Sequence, residues 1–150
     1  MVPTAELKRT DLFNGLDDDI IETIASFTSL AEFSDGEVIL SEDGNKGVVI
    51  RDLYLLMEGD VIVKKNMADY NLWKKLDIST MNNEVFGEVG WLLGENPSAE
   101  VSSVKNCKMF IVDGEELFSL CENNPEAGVI IFYRLAAILA ARLVNRTKKS

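Results

Sequence analysis

Between residues 34 and 84 the chain is punctuated at short intervals by turn-forming clusters: SDG at 34–36, EDGNKG at 42–47, EGD at 58–60, NMADYN at 66–71 and MNNE at 81–84. Such clusters punctuate strands, so the intervening segments are read as strands. They are EVIL, VVIRDLYLLM, VIVKK and LWKKLDIS, joined beyond residue 84 by AEVSSV and CKMFIVD, and all are rich in the β-branched and aromatic residues that suit a pleated, half-buried surface. The spacing predicts a sandwich or barrel of about eight short antiparallel strands. Asn83 stands where the chain needs a left-handed residue before a turn, a conformation Asn tolerates better than most side chains.

Helical patterns flank this region. DDDIIETIASF places Asp17 at a cap, acids in the first turn, and Ile20, Ile21, Ile24 and Phe27 at helical spacing. After Val112, DGEE has the capping-box pattern, with Asp113 and Glu116 in the paired roles, and opens a short helix through LFSLC. Asn124 then caps a last helix that starts at Pro125 and is expected to end near Asn145. The expected fold is mainly β with flanking helices, an antiparallel double-stranded β-roll (jelly roll) with an N-terminal helix and two C-terminal helices. It forms a single domain over 1–150, with the roll at 30–112 and the C-terminal helices at 113–146. The stretch VIIFYRLAAILAARLV is apolar nearly all round, interrupted by Arg134 and Arg142. One face is expected to cover the strands and another to meet a second copy or another domain.

Composition narrows the function. A hydrophobic content of 47% in 150 residues suffices for one buried core. Arg134 breaks the richest apolar stretch, so no membrane-spanning helix is expected, and MVPTAELKRTDLF lacks the apolar centre of a signal peptide. A cytoplasmic protein is the expectation. With 15 Lys plus Arg against 25 Asp plus Glu, the formal charge of −10 repels nucleic-acid backbones. The basic cluster of Arg142, Arg146, Lys148 and Lys149 reads as a solvated helix end. Cys107 and Cys121 are too few for a metal site or a disulfide framework and read as core residues. The chain has no histidine, which removes the commonest metal ligand, general base and triad member, so an enzyme is not expected.

Five strings in order, LFNGL at 12–16, SDGEVIL at 34–40, LYLLMEGDVIV at 53–63, FGEVGWLLGENPSAEV at 86–101 and MFIVDGEELFSL at 109–120, resemble the cyclic-nucleotide-binding domain family. That family is the β-roll sensor module of the catabolite activator and Fnr group, kinase regulatory subunits and gated channels. The resemblance covers about residues 7–144 and implies that the turn at 86–101 is a phosphate-binding cassette, a place where glycines and amides at a helix start can hold an anion. It implies Phe86 to Gly90, Pro97, Ser98 and Ala99 as site residues. Gly87 matches the glycine at the ribose and phosphate, Glu88 the acid that accepts from the ribose 2′-hydroxyl, and Val89 and Gly90 the residues whose amides face the phosphate. Ser98 and Ala99 match the small pair after the family's arginine.

The arginine itself, a bidentate clamp on the cyclic phosphate, falls on Pro97, which brings neither charge nor an amide donor. Glu100 adds negative charge nearby if its side chain faces inward. Removing one partner of a buried ion pair costs roughly 3–5 kcal/mol, so affinity for cyclic AMP or cyclic GMP is expected to fall by about two to four decades. Arg51, Lys46, Lys74 and Lys75 are the cations that could replace the arginine. The implied ligand is a cyclic nucleotide held weakly, another small anion, or none, and the implied partner is a second copy or another protein at the last helix. Phe86, Trp91 and Tyr54 also suit plain core or strand positions. Four readings compete: a non-enzymatic ligand sensor, an interaction module that lost its ligand, the sensor part of an Fnr-like transcription regulator, and a cupin-like enzyme, which the absence of histidine disfavours.

Overall fold

The structure is a computed structural model and describes residues 1–42, 50–67, 72–79, 84–97 and 99–149. Asn83, Ser98, Lys46 and most of the EDGNKG cluster lie outside the described residues. Two helices lead in, α1 (Thr4–Lys8) and α2 (Asp18–Ser26). Asp17 occupies the N-cap position of α2, but its carboxylate caps no amide; the acids of the first turn act on the helix dipole instead. The strands are β1 (Thr28–Phe33), β2 (Val38–Leu40), β3 (Leu53–Met67), β4 (Leu72–Ser79), β5 (Glu84–Phe86) and β6 (Glu100–Val112). A six-residue helix, α3 (Glu88–Leu93), interrupts them, and α4 (Gly114–Asn123) and α5 (Pro125–Lys149) close the chain.

All pairings are antiparallel, and two long strands carry the architecture. The C-terminal half of β6 pairs with β1 and with the first half of β3, which also pairs with β5. The N-terminal half of β6 pairs with β2 and with the second half of β3, which continues into β4. The result is two leaves sharing β3 and β6, bent where the register shifts around Glu58 and where Gly59 and Lys105 have φ of +99° and +57°. EGD at 58–60 is therefore a bulge inside one strand, not a chain reversal. AEVSSV and CKMFIVD likewise join into a single strand, so six strands stand among the described residues instead of about eight. Bulges of this kind curl a sheet without ending it.

Side chains alternate along the shared strands and divide the interior into two layers. Leu53 and Leu55 of β3, with Phe110 and Val112 of β6, face the helices and pack with Leu7, Leu12, Phe13, Ile21, Ile24, Leu117 and Ile131. Tyr54, Leu56, Met109 and Cys107 face into the roll, with Ile39, Leu40, Val61, Phe86 and Val101. Cys107 and Cys121 are buried free thiols.

The C-terminal caps follow the sequence. Asp113 Oδ1 accepts from Glu116 N–H (3.1 Å) and Asn124 Oδ1 from Ala127 N–H (3.2 Å). The capping box is one-sided, because Asp113 N–H donates to Phe27 O. α5 extends past Asn145 to Lys149. Its Ala127, Ile131 and Leu135 are sealed into the core, while Val129, Tyr133, Leu143 and Val144 are exposed, so the two-faced character of this helix is real. Over Pro125–Val144 the mean hydropathy is 1.9, enough by length and composition to cross a membrane despite Arg134. The stripe that packs on the roll accounts for part of that apolarity.

Candidate functional site

β5 turns into α3 through Gly87, and the 50–52 segment lies directly beneath the turn. Gly87 has φ +90°, and a Cβ on it would stand 2.5 Å from Asp52 O; a Cβ on Gly90 would stand 2.0 Å from Ile50 O. Close approach of two backbones thus requires both glycines, whatever the turn binds. Gly87 is the N-cap and has no side chain to offer, while Trp91 N–H closes the first helical bond on Gly87 O at 3.1 Å. The amides of Glu88, Val89 and Gly90 precede that bond and have no acceptor within the helix, so they form the positive end of α3.

The residues singled out from the sequence are distributed around this corner. Phe86 is buried in the inner layer, its backbone in register with Tyr54. Glu88 and Val89 are half-buried and Gly90 is buried. Pro97 is half-buried and Ala99 buried, on the approach to β6, and Ser98 between them is outside the described residues. Glu100 shares a strand face with Ser102, whose hydroxyl donates to its carboxylate at 3.3 Å, opposite the face that sends Val101 into the roll. Glu100 therefore adds no charge to the roll interior. Burial raises the Tyr54 phenol above its ordinary pKa, and the Asp52 carboxylate adds to the effect.

The cation at this corner is not one the sequence had marked. Arg142 of α5 donates through Nε to Glu84 Oε1 (2.8 Å) and through Nη2 to Glu84 Oε1 and Val85 O. Its Nη1 lies 3.6 Å from Glu88 Oε1, and its Cζ stands 5.4 Å from the centre of the Phe86 ring. The three charged side chains are only 20–25% exposed. Of the replacement cations considered from the sequence, Arg51 has its guanidinium beside Gly94, at the opposite end of α3. The side chains of Lys74 and Lys75 lie outside the described residues. The signal for Arg142 was its isolation in an apolar helix, which reads as a solvated interruption unless a buried acid faces it.

α3 is also tied to the C-terminal helices. Trp91 Nε1–H donates to Gly114 O (2.7 Å), at the start of α4, and the Trp91 ring stacks on Phe132 of α5 with centroids 5.1 Å apart and planes 7° from parallel. Asp52 Oδ1 accepts from Gly114 N–H at 3.1 Å. A displacement of α3 is therefore felt by both helices.

No protein-family model matches the sequence, and no curated protein is similar to it at a significant level. Solved structures match its fold. A cyclic nucleotide-binding domain from Methylobacillus flagellatus KT aligns with a TM-score of 0.81 at 18% identity, over 97% of this chain and 79% of that one. The catabolite activator protein of Thermus thermophilus aligns with a TM-score of 0.73 at 23% identity, over 93% of this chain and 61% of that one. The regulatory domain of Toxoplasma gondii PKA, in co-crystals with cAMP, aligns with a TM-score of 0.74 at 19% identity, over 93% of this chain and 48% of that one. At these identities the likeness establishes the fold, a β-roll of the cyclic-nucleotide-binding type with its N- and C-terminal helices.

Proposed function

We propose that the chain is a non-enzymatic, cytoplasmic sensing module in which the corner from Phe86 to Gly90, with Pro97, Ser98 and Ala99, receives a small anionic ligand. The observation that carries this reading is the left-handed Gly87 opening α3 with amides that have no acceptor within the helix, followed at once by Glu88, in a fold shared with domains described as binding cyclic nucleotides. Glu88 would accept from a ribose hydroxyl and the amides of Glu88 to Gly90 would face the phosphate. Pro97, at the position of the family's arginine, leaves the phosphate without its clamp, so cyclic AMP or cyclic GMP binds weakly. Occupancy would displace α3, and the Trp91 contacts to Gly114 and Phe132 would pass that displacement to α4 and α5, shifting the population of helix arrangements. The output is a change in what α5 meets, a second copy of the chain or a partner protein.

A second reading, an interaction module that binds no ligand, is favoured by Pro97 and by the exposed Val129, Ile130 and Tyr133 of α5. Thermal unfolding separates the two. A ligand that binds the folded state raises the midpoint, so millimolar cyclic AMP or cyclic GMP is expected to raise it in the native chain and not in Glu88→Gln. An unchanged midpoint with both nucleotides supports the interaction module.

A further inference from the structure

All 25 acidic residues of the chain lie at or before Glu126, whereas five of its 15 basic residues, Arg134, Arg142, Arg146, Lys148 and Lys149, follow it. The last helix is therefore a cationic element on an acidic body. Its apolar residues divide into two stripes. Ala127, Ile131 and Leu135 are sealed against the core. On the other side Val129, Ile130, Tyr133, Ala137, Ala141 and Val144 are exposed at helical spacing, so they share one face for about 22 Å. Five of these six line a single open groove of about 590 Å³ beside Asp11, which makes the patch continuous. Apolar as the stretch Pro125–Val144 is, only 22% of it is buried in the protein.

Charge decides which occupant suits this face. A second copy laid along it in parallel would set two basic ends side by side, with no carboxylate on the helix beyond Glu126 to neutralise them. Laid antiparallel, it would offer each basic end only Glu126. An anionic lipid surface supplies both complements, apolar depth for the stripe and negative headgroups for the basic final turn. The same surface repels the acidic body, so the helix is the part presented to it.

We propose that α5 is a peripheral membrane anchor, which docks its exposed apolar stripe on anionic lipid with Arg146, Lys148 and Lys149 of its final turn at the headgroups. The helix lies along the surface instead of crossing it, because the stripe of Ala127, Ile131 and Leu135 stays in the core. Tyr133, 74% exposed, joins an apolar ring to a hydroxyl and suits the boundary between lipid and water. The proposal goes beyond the reading of the corner and does not depend on it.

Flotation of the full chain with lipid vesicles provides the test. Vesicles of phosphatidylcholine with about a third phosphatidylserine should retain the chain, and vesicles of phosphatidylcholine alone about tenfold less. Raising the salt from about 0.1 M to about 1 M shortens the screening length roughly threefold and should release most of the bound chain. The triple change Arg146→Gln, Lys148→Gln and Lys149→Gln should lower retention on the anionic vesicles about tenfold. Val129→Glu with Tyr133→Glu, at positions 69% and 74% exposed, should do the same without altering the unfolding midpoint. No retention on the anionic vesicles, equal retention on the two vesicle types, or full retention of the Val129→Glu, Tyr133→Glu chain overturns the proposal. So does a chain that sediments as a dimer, floats with neither vesicle type and becomes monomeric on Tyr133→Glu, a result that assigns the face to a second copy.

Discussion

The two apolar layers of this molecule are built from the same strands but serve different ends. The outer layer, between the sheet and the helices, is sealed: Leu7, Leu12, Phe13, Ile24, Leu53, Leu55, Leu117 and Ile131 are fully buried there. The inner layer has a sealed centre, Leu56, Val61 and Met109, and a looser rim, where Ile39, Tyr54 and Phe86 retain 7–8% exposure. Helices cover the first layer, while the second is closed by strand edges and by the corner that carries Gly87 and Glu88. Alternation along β3 assigns neighbours such as Tyr54 and Leu55 to opposite layers, so one strand stabilises the fold with one face and shapes the candidate site with the other.

Matched truncations test that division most strongly. Leu55→Ala in the sealed layer is expected to cost about 4 kcal/mol and Leu40→Ala at the inner edge about 2 kcal/mol, measured by urea unfolding, because the edge can relax into the space left. Equal losses would break the comparison. Next in size is Gly90→Ala: a methyl group 2.0 Å from Ile50 O forces α3 off the 50–52 segment, at about 2 kcal/mol. Trp91→Phe keeps a ring against Phe132 but removes the bond to Gly114 O, and should lower stability by about 1 kcal/mol.

The smallest effect concerns Cys121, whose thiol burial pushes up to about 11 from an ordinary 9.0. The folded state then holds its proton more tightly than the unfolded chain. Its contribution is fully present below pH 9.0 and is lost as pH rises towards about 11, with no change at neutral pH. A thiol reagent at pH 8 should modify Cys121 only after unfolding; rapid native modification would show the outer layer to be less closed than described.

Much of this was legible in the sequence. The N-cap roles of Asp113 and Asn124 and the start of the last helix at Pro125 follow from local rules, because their partners lie within a few residues. What was missed depends on long-range partners. β1 was not marked, since TSLAEF has no strong β pattern and becomes a strand by pairing with β6. EGD has turn composition, yet the pairing of β3 with β6 continues on both sides of it and absorbs Gly59 as a bulge. Arg142 looked like part of a solvated basic end, and only the fold brings it to Glu84, across 58 positions of sequence. The role of Pro97 rests on resemblance alone.

That role is also the most direct point of attack. Titrating cyclic AMP calorimetrically into the native chain and into Pro97→Arg measures whether the corner is an anion site that lacks its clamp. The expected result is weak binding by the native chain and an affinity gain of about a hundredfold or more on restoring the guanidinium. A folded Pro97→Arg chain that binds no better than the native one would contradict it.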